Sequence, residues 1–190
     1  LSRNLLDTAL FENGELIVSA HDGDLAAFLA RLAERLVPIC RQSGVKLDIA
    51  LPETGVFCNF DEEKVERIVL NLIAGAFSSA AIRIVLADRG EHAVLTVYGL
   101  STEFSHAGER ASDANNLSSG YAVASAFTRA LGGTFVVSGS PMSGYSACIT
   151  LPKKPEHGTA PLSSLQIDYT GGFDHVLVEL STVLDKQFYR

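Results

Sequence analysis

Residues 61–77, with the sequence DEEKVERIVLNLIAGAF, decide the fold that we expect for this chain. The three acids that open the stretch favour a helix start, because negative charge is stabilised at the positive end of a helix dipole. The residues behind them predict a helix with one buried apolar stripe. This stripe consists of Val65, Ile68, Val69, Leu72, Ile73 and Ala76. Within the helix, Asn71 is either a site residue or a buried amide bonded to neighbouring backbone. Gly75 is either a site position or a point of close packing against a strand.

Helical and strand patterns alternate on both sides of this segment. The other predicted helices cover residues 1–12, 24–42 and 120–131, and the predicted strands cover 45–51, 56–58, 81–87, 93–98, 134–138 and 145–151. Residues 99–119 are polar and without periodicity, so they predict a long loop. This order predicts an α/β (α+β) two-layer sandwich, with a mixed, mostly antiparallel sheet of about five strands and three helices on one face.

The same patterns divide the chain into four parts. Residues 1–14 predict the end of a longer helix and a connector, so we expect the chain to be a piece of a longer protein. Residues 15–152 form the predicted domain, and residues 153–164, which contain two prolines, form a linker. Residues 165–190 predict a strand and a helix, whose stripe from Phe173 to Leu184 is too apolar to stay exposed. We therefore expect this extension to pack on the domain.

Composition and charge exclude several classes of function. The formal net charge is -7, which disfavours nucleic-acid binding because that binding needs a clustered positive surface. The sequence contains no apolar run long enough to span a membrane and no signal peptide, so we expect no membrane contact by this fragment. The three cysteines are scattered, which favours free thiols in a reducing compartment. The five histidines show no ligand spacing, so we expect no metal site built on them.

Four segments, taken in order, resemble the ATP-binding catalytic domain of two-component sensor histidine kinases, whose ATPase fold is shared with gyrase B and Hsp90. LLDTALFENGELIV, at 5–18, looks like the end of the second dimerisation helix and its connector. The stretch 61–77 is similar to the helix that carries the N-box of the family. GYAVASAFTRALGGTF, at 120–135, looks like the helix that follows the ATP lid, and SGYSACITLP, at 143–152, looks like the last strand of the sheet. The resemblance covers roughly residues 1–152.

The resemblance implies ATP and Mg²⁺ as cofactors and assigns five positions to the nucleotide site. Asn71 is the first asparagine of the N-box, and Gly75 stands where a second asparagine supplies an oxygen to Mg²⁺. Gly99 stands where an aspartate binds the adenine amino group, and Ser101 replaces the first glycine of the same turn. Gly120 is the glycine that remains from the motif that approaches phosphate. Most of the ATP chemistry of the family is therefore missing.

We expect the chain to be the ATPase-like domain of a sensor histidine kinase, degenerate and with weak or no ATP binding. It contains no catalytic residue, because the phosphate-accepting histidine of the family lies upstream of this fragment. An alternative is a non-catalytic, kinase-like interaction module that binds a response regulator or a partner kinase. A third possibility is an active ATPase with an altered pocket. The resemblance also implies a cytoplasmic domain and a homodimeric full-length protein, with or without a membrane anchor.

Overall fold

The computed structural model describes residues 3–77, 79–100, 116–140, 144–153 and 180. The helices are α1 (Arg3–Glu12), α2 (Leu25–Gln42), α3 (Glu62–Ala76) and α4 (Asn116–Ala130). The strands are β1 (His21–Asp24), β2 (Lys46–Ala50), β3 (Phe57–Phe60), β4 (Ala81–Arg89), β5 (His92–Leu100), β6 (Thr134–Ser140) and β7 (Gly144–Pro152). None of the helices in these ranges is long and apolar enough to cross a membrane.

The main sheet has five strands in the order β2-β4-β5-β7-β6. β2 pairs with β4 in parallel, and the other neighbours are antiparallel. Alternate residues of the central strands are buried, as expected for a sheet with one face against a core. These residues are Ile82, Ile84, Leu86, Ala93, Leu95, Val97, Ala147, Ile149 and Leu151. The predicted mixed, mostly antiparallel sheet is confirmed.

Three helices pack on this sheet, as predicted. α2 contacts β2, α3 contacts β5, and α4 contacts β6 and β7. Asp24 caps α2, and its carboxylate accepts hydrogen bonds from the backbone N–H groups of Ala26 and Val56, each at 3.0 Å. These bonds fix the start of α2 against the chain segment that leads into β3. The fourth helix, α1, packs on α4.

The structure corrects the prediction in one missed strand and in the bounds of the long loop. β1 was not predicted, because its sequence HDGD has no apolar pattern; it pairs with β3 in a separate two-stranded sheet. The predicted loop 99–119 is too long at both ends, since β5 continues to Leu100 and α4 begins at Asn116. The strand continues because Gly99 adopts a positive φ of 94° at a bulge. Residues 101–115 lie outside the described part of the chain.

The structure describes the first of the predicted terminal segments, residues 1–14, from residue 3 onward, but it describes almost nothing of the last two. α1 ends at Glu12, and Gly14 follows with a φ of 71°, which agrees with a helix stop at 13–14. The predicted linker 153–164 and extension 165–190 lie outside the described residues, except for Lys153 and Leu180. Leu180 is fully buried and belongs to the same hydrophobic cluster as the core of the domain.

Candidate functional site

α3 carries the residues that the sequence assigned to the site, and its start is fixed by Asp61. The Asp61 carboxylate caps the helix by accepting a hydrogen bond from the Lys64 N–H at 3.1 Å. It also accepts one at 2.8 Å from the backbone N–H of Ser19, in the connector that follows α1. The acidic start of the predicted helix is therefore a cap, and it ties the connector to α3.

Asn71 is buried in the middle of α3, with 6 % of its surface exposed. Its side-chain Nδ2 donates to the backbone carbonyl of Arg67 at 2.8 Å. Its Oδ1 accepts from Nδ2 of Asn4, on α1, at 3.0 Å. The oxygen and the nitrogen of the Asn71 side-chain amide are therefore both engaged inside the protein, and Oδ1 is directed towards α1.

Arg67, one helical turn before Asn71, is the largest polar group in this region, and its side chain is only 1 % exposed. Its guanidinium forms an ion pair with Asp7 of α1, whose side chain is 14 % exposed. It also donates from Nη2 to Oδ1 of Asn4 at 3.0 Å and lies 5.0 Å from the centre of the Phe127 ring on α4. We call Asn4, Asp7, Arg67 and Asn71 the polar quartet.

The structure brings Gly120 together with Asn71. A Cβ atom on Gly120 would lie 2.9 Å from Oδ1 of Asn71, so α4 approaches α3 closely at this point. Gly75 lies one turn after Asn71 on α3, is buried, and offers no side-chain ligand. Asn71, Gly75 and Gly120 are all buried by the protein itself, which fits close helix packing better than an open cleft.

Gly99 has a role that the sequence did not reveal. A Cβ atom there would lie 2.4 Å from the backbone oxygen of Ala81 on β4, and φ is positive. The hydroxyl of Ser79 donates to the carbonyl of Gly99 and ties the start of β4 to the end of β5. An adenine-binding aspartate cannot occupy this position without moving β4. Ser101 lies outside the described residues.

The residues at these positions do not fit Mg²⁺-ATP. A magnesium ion needs hard oxygen ligands in near-octahedral geometry, but Gly75 has none and the Asn71 oxygen is bonded to Asn4. Adenine needs a carboxylate near Gly99, where the backbone excludes one. Gly75 and Gly99 therefore supply neither the metal ligand nor the adenine contact that Mg²⁺-ATP requires.

Sequence reasoning missed Asn4, Asp7 and Arg67. A weak signal was present, because Arg67 interrupts the apolar face of α3 while Asp7 interrupts a run of leucines on α1. Isolated opposite charges on two apolar helix faces are consistent with a buried pair. The pairing itself spans 60 residues of sequence, and nothing local specifies it.

Two of the three cysteines, Cys40 and Cys58, carry thiols that stay protonated at neutral pH. Burial raises the pKa of the Cys40 thiol to about 11. Burial, as the largest cause, also raises the pKa of Cys58 to about 11. Cys40, Cys58 and the half-buried Cys148 are free, which agrees with the prediction of free thiols.

No family model matches the chain, and no curated protein matches it in sequence. Solved structures do match. The histidine kinase AdeS of Acinetobacter baumannii is 20% identical, with a TM-score of 0.62, over 79% of this chain and 75% of that one. Full-length ShkA, in complex with AMPPNP, is 20% identical, with a TM-score of 0.64, over 84% of this chain and 36% of that one.

The catalytic domain of histidine kinase ThkA is matched over almost its whole length. It is 13% identical, with a TM-score of 0.60, over 72% of this chain and 99% of that one. At this level of identity the likeness concerns the fold alone. The five-stranded mixed sheet, the three helices on one face and these similarities lead to one conclusion: the chain has the fold of the catalytic ATP-binding domains of histidine kinases.

Proposed function

We propose that this chain is the ATPase-like domain of a sensor histidine kinase in two-component signalling, and that it binds Mg²⁺-ATP weakly or not at all. One observation carries the second part: the Asn71 amide is engaged by Arg67 and Asn4. A nucleotide that used the Asn71 oxygen would compete with Asn4 for it, and it would gain no ligand from Gly75. The proposed chain is therefore a pseudokinase domain.

Calorimetric titration tests this proposal. We expect no saturable binding of Mg²⁺-AMPPNP below about 1 mM, because the loss of a charged hydrogen bond together with a metal ligand costs about 3–5 kcal/mol and moves micromolar binding towards millimolar. Full-length ShkA, which was solved with AMPPNP, serves as the positive control. Saturable, magnesium-dependent binding in the micromolar range would overturn the proposal and favour an ATPase with an altered pocket.

The closed packing around Asn71 also favours the alternative, a non-catalytic module. In that case the domain binds a response regulator or a partner kinase, and the phosphate never passes through this chain. Titration with the response regulator separates the two functions, because the module would bind it without any nucleotide present. Failure to bind either a regulator or a partner kinase would remove the alternative.

We further propose a homodimeric, cytoplasmic parent protein. Leu5 and Leu6 of α1 are about half exposed, which supports a helix that continues into a pairing surface. A longer chain with the upstream helices should form a dimer by light scattering. A longer chain that stays monomeric at high concentration would contradict the proposed dimer.

A further inference from the structure

The two edge strands of the main sheet differ in how well they are protected against the addition of another strand. β2 is five residues long and carries the exposed, charged residues Lys46 and Asp48. β6 is seven residues long, TFVVSGS, with neither a charged residue nor a proline. Among the described strands, only β7 pairs with β6. Charges, prolines and short length are the usual protection of an edge strand, so β6 lacks the protection that β2 has.

Two backbone N–H groups of β6 point towards its free edge. The N–H of Thr134 faces β7, because it donates to Oγ1 of Thr150 at 3.1 Å. The directions of the N–H groups alternate along a strand, so those of Phe135 and Val137 face the opposite way. The side chains of Phe135 and Val137 pack on the core but are only half-buried, and the centre of the Phe135 ring lies 5.0 Å from that of Tyr121 on α4. The apolar layer between α4 and the sheet is therefore only half covered at the β6 edge.

The chain continues beyond β7, the last strand of the sheet, and returns to the domain. Lys153 is fixed at the end of β7, since its N–H donates to the Glu91 carbonyl at 2.9 Å and its Nζ donates to Asp88 at 2.6 Å. Further along the chain, Leu180 is fully buried and belongs to the core cluster. The segment 154–179, which lies outside the described residues, therefore starts and ends at the domain.

This segment contains a sequence that can pair with β6. Residues 165–169, LQIDY, alternate apolar and polar side chains as a half-buried strand does. Lys153 follows β7 at the end of the sheet where β6 begins, and residues 154–164 connect it to this stretch. An extended connection of this length spans about 36 Å, whereas a strand added to β6 lies two strand spacings, about 10 Å, from β7. The connection is therefore long enough for either direction of pairing.

We propose that the free edge of β6 is the docking edge for residues 165–169 of the same chain, which add to the main sheet as a sixth strand with Ile167 towards α4. This pairing satisfies the outward N–H groups of Phe135 and Val137, and its apolar face covers their half-buried side chains. Because both ends of the segment are held at the domain, pairing within the chain is favoured over pairing with a second copy. The C-terminal part of the chain then belongs to the domain and covers an edge at which other strands could add.

Residue-resolved hydrogen exchange of the whole chain, measured by NMR without nucleotide, tests this docking. We expect the Phe135 and Val137 amides to be protected, and their protection to stay constant when the protein is diluted. Ile167→Asp places a charge on the apolar face of the added strand, and Gln166→Asp is the matched control, because the same charge then lies on the opposite face. Ile167→Asp should accelerate exchange of the two β6 amides about 10–100-fold, because a charge is costly to bury. Gln166→Asp should leave these amides unchanged, and both variants should leave β4 and β5 unchanged.

Three outcomes would overturn the inference. In the first, the Phe135 and Val137 amides of the parent chain exchange as fast as amides exposed to water, which would show that the edge is unoccupied. In the second, their protection falls on dilution, which would make a second copy of the chain the occupant. In the third, Ile167→Asp and Gln166→Asp have the same effect, so that the segment does not dock by its apolar face. The first two measurements use only the parent chain, so they decide even if a variant fails to fold.

Discussion

Besides its close packing on α4, α3 makes one junction with α2 and one with α1, and both contain arginine–carboxylate pairs. Toward α2, Arg31 lies 3.3 Å from Glu62 and Arg35 lies 3.1 Å from Glu66. The Arg31–Glu62 side chains are 63 % and 59 % exposed. Pairs of this kind contribute at most about 1 kcal/mol, because water screens the charges and the long side chains lose entropy. The α2 junction is held by its buried leucines, and the ion pairs lie outside that contact.

Toward α1 the arrangement is reversed. The side chain of Arg67 is 1 % exposed and that of Asp7 is 14 % exposed, while Leu5 and Leu6 of α1 are about half exposed. Removing one partner of a buried pair costs far more than removing one partner of an exposed pair. An arginine–carboxylate pair is therefore an exposed surface contact at the α2 junction, whereas at the α1 junction it is the specific attachment between the two helices.

The largest expected effect comes from removing Arg67. Arg67→Ala leaves Asp7 and Asn4 without their main partner and opens space beside Phe127. We expect a loss of about 3–5 kcal/mol in the free energy of unfolding, measured by urea denaturation. Arg67→Met, which refills part of the space, should lose less. A loss below about 1 kcal/mol in Arg67→Ala would make the two junctions energetically alike.

A smaller effect is expected where α4 closes on the quartet. Gly120→Ala places a methyl group 2.9 Å from Oδ1 of Asn71, so Asn71 or α4 must shift. We expect a loss of about 1–3 kcal/mol, as for other overpacked sites. Asn71→Ala removes the clashing oxygen. In an Asn71→Ala background, Gly120→Ala should therefore lower the free energy of unfolding by less than it does in the parent chain. Full additivity of the two changes would show that Gly120 and Asn71 are not in contact.

The smallest effect belongs to the α2 junction. Glu62→Gln removes the exposed partner of Arg31 and one of the acids in the first turn of α3. We expect a loss of about 0.3–1 kcal/mol, mainly from the helix dipole, and a loss that becomes smaller in high salt. An Asp7→Asn change, which removes the charged partner of the buried Arg67, should lower the free energy of unfolding by nearly the same amount in high salt as in low salt. If both variants were equally sensitive to salt, the ion pairs at the α2 and α1 junctions would not differ in their exposure to water.

The sequence predicts the parts of the fold that local patterns specify. α2 and α3 have capping aspartates and continuous apolar stripes, and the central strands alternate in the expected way. β1 has no such pattern and exists through its pairing with β3. The end of β5 was placed wrongly because Gly99 indicates a strand end but lies in a bulge inside the strand, and α4 begins at Asn116, four residues before its predicted start.

In the site, too, some features can be predicted from the sequence and others depend on distant contacts. Asn71, Gly75 and Gly120 could be singled out by resemblance, and the structure places Asn71 against Gly120. What these residues do could not be predicted, because it depends on Asn4 and Asp7, more than 60 residues away in the chain. Position 99 requires a glycine because the backbone of β4 lies too close for a Cβ atom. This contact between strands cannot be read from a single sequence.

The central claim is that Asn71 and Gly120 serve in helix packing and do not bind a nucleotide. The most direct measurement follows the Asn71 side-chain amide and the Gly120 backbone amide by NMR during a titration with Mg²⁺-AMPPNP up to about 5 mM, far above a micromolar dissociation constant. The account predicts that both signals keep their positions throughout. Saturable, magnesium-dependent shifts of these two signals would show that the site still binds a nucleotide and would contradict the account.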